Sequence, residues 1–241
     1  MAGSARQCKP AALARGGLES LARIPRLRFG LTNNHDIIPS MIYDISPPLT
    51  SKLAVWPGDP ALAREILCDG NPVTLSALHA TAHLGAHADA PSHYGRLAAS
   101  IDQCPLEWYL GPCQVMRVNA MRGQNIAPGM LPASIQAPRV LLATGTYPDP
   151  ECFNDDFAGL APELILFLSQ HGVKLVGVDT PSVDCFDVKD LAAHRACLLH
   201  NIVILEGLML GEVPAGLYEL IALPLKLVGF DGSPLRAVLR T

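Results

Sequence analysis

Between Ala82 and Tyr94 the chain reads Ala82-His83-Leu84-Gly85-Ala86-His87-Ala88-Asp89-Ala90-Pro91-Ser92-His93-Tyr94, which places three histidines and an aspartate within eleven residues. This segment constrains the fold more than any other. Gly85 and Pro91 argue against a long helix, so a strand end and a tight loop are expected, curled until His83, His87 and Asp89 meet at one point. Imidazole nitrogen and carboxylate oxygen suit zinc, manganese or iron(II). With two oxygens, Asp89 could bridge two cations. A lone histidine among apolar residues is more often a hydrogen-bonded core residue than a ligand. Three with an aspartate at this spacing each need a partner once buried, and the spacing predicts a metal site.

The rest of the chain alternates short β-like runs with turn signals. Residues 41–44 and the region of Val55 and Trp56 are expected as short strands, punctuated by Pro-Pro and Pro-Gly. Residues 114–118 and 139–143 have the aliphatic, β-branched character of buried strands. Pro162 suits the first turn of a helix through residue 170 that stops near Gly172. A strand over 174–178 follows, with Asp179 at its carboxyl end. Asp187 is expected to cap a second helix, with Asp190 three residues on, reaching about His200. A buried strand over 202–205 ends at Glu206-Gly207, and the apolar run 220–228 is broken by Pro224. The expected fold class is α/β: a single domain with a substantial β-sheet core.

A chain of 241 residues, 49% hydrophobic and 17% charged, has room for one substantial domain and the composition of a globular one. Net charge is −4, which gives no reason to expect nucleic acid, and no stretch approaches the ~18 apolar residues of a membrane helix. Seven scattered cysteines without a CxxC pair fit reduced thiols in a cytoplasmic protein. Residues 1–40 hold six basic and two acidic side chains and lack a secretory apolar region. They are expected to be an extension outside the fold, disordered or preceding the true initiator Met41, with residues 41–241 forming the domain.

A metal site needs further ligands. His194 shares a helix face with Leu191 and Leu198, where it is either a satisfied core histidine or a ligand. Glu206 ends an apolar strand, a costly place for a carboxylate unless it is paired or bound to a cation. Asp179 and Asp184 are weaker candidates of the same kind, since an Asp before Thr-Pro can simply set a turn.

The histidine segment resembles the HxGTHxDxPxH signature of the cyclase family of metal-dependent hydrolases. Met41-Ile-Tyr-Asp-Ile-Ser-Pro-Pro, Val55-Trp-Pro-Gly-Asp-Pro, Gly177-Val-Asp-Thr-Pro-Ser-Val-Asp, Ile204-Leu-Glu-Gly-Leu and the tail from Leu220 are similar to its bacterial kynurenine formamidase (arylformamidase) branch. The resemblance implies that His83, His87, Asp89, His194 and Glu206 are metal ligands for two zinc ions per subunit, with manganese as the alternative, and that Asp89 and Glu206 bridge. It implies His93 as catalytic acid/base and Trp56 as a lining of the substrate pocket. It further implies a swivelling β/β/α fold, a homodimer, and hydrolysis of N-formyl-L-kynurenine to L-kynurenine and formate in tryptophan degradation. Ala86 departs from the motif's threonine; the lost hydroxyl could remove a hydrogen bond to a ligand but removes no ligand, and it reads as a branch difference that bears on metal preference and not on activity. The loop 95–99 matches no family pattern.

Three rivals stand beside this reading. Another amide hydrolase of the same family, such as an isatin or other cyclic-amide hydrolase, would share the ligands and differ in the pocket. A non-catalytic scaffold would be expected to have lost some of the five ligands or His93. A cysteine nucleophile at Cys185 or Cys197 lacks a supporting motif.

Overall fold

The computed structural model describes residues 41–241 except Asn71, so the expectation for residues 1–40 lies outside the described residues. In chain order it contains β1 (Ile42–Asp44), β2 (Ala63–Cys68), β3 (Leu75–His79), β4 (His87–Asp89), α1 (Pro91–Tyr94), β5 (Leu110–Arg117), β6 (Asn125–Ile126), β7 (Arg139–Ala143), β8 (Gly159–Leu160), α2 (Pro162–Gln170), β9 (Leu175–Val178), α3 (Ala192–His200), β10 (Val203–Glu206), β11 (Gly216–Ile221), β12 (Gly232–Pro234) and β13 (Val238–Arg240). Nine strands form one sheet in the order β1-β13-β11-β5-β7-β9-β10-β4-β12. Its centre, β5-β7-β9-β10, is parallel, and antiparallel strands extend it on both sides.

Alternation along the central strands builds two cores. Val140 and Leu142 of β7, Val176 and Val178 of β9 and Ile204 of β10 face α2 and α3 and pack with Leu164, Ile165, Leu168, Ala193 and Cys197. Leu141, Leu175, Val203 and Leu205 face the other way. Their core also takes Ala88 of β4, Leu220 of β11 and Leu239 of β13, so the sheet curls around it. Buried on both faces, β7 and β9 read as continuous apolar runs, as parallel strands do. The result is a mixed α/β domain dominated by its sheet.

Several expected elements shift. Val55 and Trp56 lie in a loop, because the turn from Trp56 to Asp59 leaves no partner strand. The second helix begins at Ala192, not at Asp187. Asp184 caps it from a distance, its two carboxylate oxygens accepting the Ala193 and His194 amides at 2.8 and 3.1 Å. The β2–β3 hairpin, exposed along nearly its whole length, and the tail strands β11 to β13 have no counterpart in the sequence expectations.

Candidate metal centre

Antiparallel pairing of β4 with β10 sets Asp89 opposite Ile204 and His87 opposite Glu206. Ala88 points into the curled core, so His87 and Asp89 project from the opposite face, the one Ile204 presents to α3. His194, in the first turn of α3, comes down on the same point. His83 arrives from the loop before β4. The five expected ligands therefore converge, although Glu206 is more than a hundred residues from His83.

The donor atoms are closely spaced. His83 Nδ1 lies 2.9 Å from Asp89 Oδ1, and His87 Nε2 lies 3.5 Å from the same oxygen and 3.3 Å from Glu206 Oε2. His194 Nε2 lies 3.3 Å from Asp89 Oδ2 and 3.5 Å from Glu206 Oε1. Metal–nitrogen and metal–oxygen bonds of about 2.0–2.1 Å put neighbouring donors of a tetrahedral shell about 3.3 Å apart, which is the spacing most of these pairs have. Asp89 Oδ2 is buried and makes no hydrogen bond among the described residues, because its approach to His194 is not aligned as one. Such an orphaned carboxylate oxygen fits a cation's place.

Each candidate imidazole is held through its other nitrogen, as metal-binding histidines are. His87 Nδ1 donates to Gly85 O at 2.8 Å, His194 Nδ1 to Asp184 Oδ2 at 2.6 Å, and His83 Nε2 to Asp231 Oδ2 at 3.2 Å. That leaves Nε2 of His87 and His194 and Nδ1 of His83 turned toward the carboxylates.

Electrostatics agree with the charge this cluster needs. Burial alone would lower the His87 pKa, but the adjacent Asp89 and Glu206 carboxylates outweigh it and push it up to about 10. Burial is likewise outweighed at His194 by Asp184, Asp89 and Glu206, which push it up to about 12. Burial opposes ionisation of Asp89 and Glu206, yet the surrounding imidazoles hold Asp89 well below the carboxylate range and Glu206 below it. Two buried carboxylates persist only with positive charge beside them, supplied by protons on these rings or by a cation.

The remaining expectations divide. His93, on α1, sits at the rim with its ring centre 4.1 Å from that of His83 and Nδ1 3.4 Å from Asp231 Oδ2. Trp56 lines a cavity of about 680 Å³ that opens onto the cluster, together with Tyr147, Phe153 and Phe230. Its ring tilts against Phe186 at 5.1 Å and meets Phe153 edge-on at 5.8 Å. Asp179 also lines the cavity, but its oxygens accept the Thr144 and Gly145 amides and the Thr144 hydroxyl, which makes it a structural anchor and not a ligand. Asp184 acts through His194 without joining the donors. Ala86 is buried in the curled core. Cys197 is buried, with its thiol pushed well above the ordinary range by burial, and neither it nor Cys185 lines the cavity. Asp231, which contacts both His83 and His93, went unread in the sequence. Its only signal there is an acid between Phe230 and Gly232 in an apolar tail.

Comparison with known proteins places this geometry. The chain is similar to the solved structure of a potential metal-dependent hydrolase with cyclase activity (26% identity, TM-score 0.74, covering 83% of this chain and 98% of the other). It is also similar to a predicted metal-dependent hydrolase from Bacillus stearothermophilus (27%, TM-score 0.72, 83% and 98%). Isatin hydrolase A from Labrenzia aggregata shares the fold (24%, TM-score 0.70, 84% and 94%). The Cyclase family model matches residues 43–185, more than half of the chain and the whole His83–His93 segment, and the chain therefore belongs to the Cyclase family.

Proposed function

We propose that this protein is a metal-dependent hydrolase that opens the formamide bond of N-formyl-L-kynurenine, giving L-kynurenine and formate. The observation that carries the reading is the convergence of the donor atoms of His83, His87, Asp89, His194 and Glu206, with one buried Asp89 oxygen left without a hydrogen bond, beneath a cavity walled by aromatic rings. Those five residues would hold two divalent cations. Zinc is favoured by the histidine-rich donor set, with manganese as the alternative. Cations held there would lower the pKa of water and polarise a carbonyl oxygen.

The chain's own residues do the rest. Trp56, Tyr147 and Phe153 offer faces and edges against which an aryl ring orients. His93, more exposed than the buried donors and with a ring nitrogen within 4.8 Å of donor atoms of Asp89 and His194, takes a proton from the attacking water and returns it to the departing nitrogen. An arylamine is a poor leaving group as its anion, so that return is required as the C–N bond breaks. Asp184 and Gly85 fix the rings of His194 and His87 so that they need not reorganise.

One observation favours a second reading, a cyclic-amide hydrolase. No lysine or arginine is among the described residues lining the cavity, whereas Asp59, Asp179 and Asp231 are. Apart from the proposed metal site, the carboxylate of formylkynurenine would find no lysine or arginine there to pair with, and a neutral bicyclic amide needs none. Turnover of N-formyl-L-kynurenine, formanilide and isatin, each with and without chelator and with zinc restored, separates the readings. Chelator-sensitive turnover of formylkynurenine above the other two supports the first. Preference for isatin replaces it with the second, and metal-independent turnover defeats both.

The protein is further proposed to be a homodimer through the β2–β3 hairpin. Ile66, Leu67, Val73, Leu75 and Leu78 are all more than half exposed on it, and a two-stranded hairpin is marginal without a surface to pack on. Light scattering should give twice the chain mass, and Leu78→Asp should shift it toward the monomer.

A further inference from the structure

Asp231 lies just before β12, the strand that pairs with β4 and so with His87 and Asp89. Its backbone is tied down on every side. The Asp231 carbonyl accepts the Ala90 amide at 2.9 Å, the Phe230 carbonyl accepts the Ile101 amide at 2.9 Å, and the Gly229 amide donates to Asp102 Oδ1 at 3.0 Å. Gly232 lies so close to His83 that a Cβ there would be 2.8 Å from the ring. This frame aims one oxygen, Oδ2, between two imidazoles: 3.2 Å from His83 Nε2 and 3.4 Å from His93 Nδ1.

We propose that Asp231 is a positioning residue that, through this one oxygen, fixes the tautomer and orientation of His93 while seating His83. A carboxylate accepts and does not donate, so His93 must present Nδ1–H to it, which leaves Nε2 as the free acceptor. An imidazole can take up and return a proton at a defined place only when its tautomer is defined in this way. The inference rests on the role given above to His93.

Asp231 differs in burial from the candidate ligands, although its oxygen and the ring nitrogens of His83 and His93 lie within 4.8 Å of one another, close enough to hold a cation. Asp89 and Glu206 are almost fully buried, whereas the Asp231 side chain is half exposed. It meets His83 on the nitrogen facing away from Asp89, the relation Asp184 has to His194.

The test is long-range proton–nitrogen NMR of the histidine rings in the zinc-loaded full-length protein, at a pH well above the ordinary histidine range. Wild type should show His93 as the Nδ1–H tautomer, and Asp231→Ala should show a mixture or the reverse. Zinc content at saturation should be unchanged in the variant. Its kcat should fall about 10- to 100-fold with little change in KM, the cost of removing a residue that orients a functional histidine. Asp102→Ala, which loosens the same loop through Gly229, should leave both tautomer and kcat as in wild type. The proposal is overturned by an unchanged His93 tautomer in Asp231→Ala. It is equally overturned by loss of a zinc equivalent at saturation, which would make Asp231 a ligand, or by an identical effect of Asp102→Ala. If wild type fails to turn over any aryl amide, the role of His93 falls, yet the ring tautomers still decide what Asp231 does.

Discussion

Single side chains carry the sharpest consequences. His93→Ala should retain the metal content of wild type by elemental analysis while turnover falls by roughly 10²–10⁴, the usual contribution of a general acid–base. Full turnover with intact metal would remove His93 from the chemistry. Asp184→Asn tests a residue with two duties, since its carboxylate accepts two first-turn amides of α3 and also holds His194 Nδ1. It should cost about 1–2 kcal/mol in urea unfolding and, separately, about 10–100-fold in zinc affinity. At this scale the donors were legible in sequence because histidines and acids in a Gly- and Pro-punctuated run need partners once buried. The residues that orient them were not. Asp184 stands only as a weaker candidate ligand and Asp231 only as an acid in an apolar tail, until folding brings one beneath α3 and the other, 138 residues from His93, against its ring.

Among the elements, the contact between the loop before β4 and the end of β10 is the tightest. Gly207 has φ of +66°, and a Cβ on it would sit 2.2 Å from the Gly85 carbonyl oxygen, the atom that accepts from His87 Nδ1. Gly207→Ala therefore combines backbone strain of about 1–3 kcal/mol with a clash that pushes His87 and Glu206 apart. Loss of stability in urea together with loss of tightly bound zinc is expected; a variant with wild-type stability would show that the loop yields. Strands with both faces buried and the proline-started α2 were plain from their apolar runs. β4 was visible only as a strand end and loop, because two of its three residues are the polar candidate ligands themselves. The β2–β3 hairpin escaped because its side chains are nearly all exposed, so no alternation between core and solvent is written into them.

For the molecule as a whole, metal and proton compete for the same buried charge, and the pH dependence of stability follows with a definite sign. His87 and His194 have raised pKa values, about 10 and about 12 against an ordinary 6.5. Below 6.5 folded and unfolded chains both hold these protons, and the ion pairs stabilise fully. Above it the unfolded chain releases them while the metal-free fold must keep them, so stability declines as pH rises toward the folded values. Asp89 and Glu206 are lowered, and their contribution is lost instead as pH falls through the acid range. The metal-free protein should thus be most stable between the ordinary carboxylate and histidine ranges. Zinc reverses the alkaline limb: it binds deprotonated imidazoles, tightens as pH rises and stabilises whatever it binds only when folded. Tm measured with chelator should fall from neutral to alkaline pH while Tm with zinc holds, so that the gap between them widens. Parallel curves would mean that the imidazoles of His87 and His194 are not where the charge of this site is exchanged.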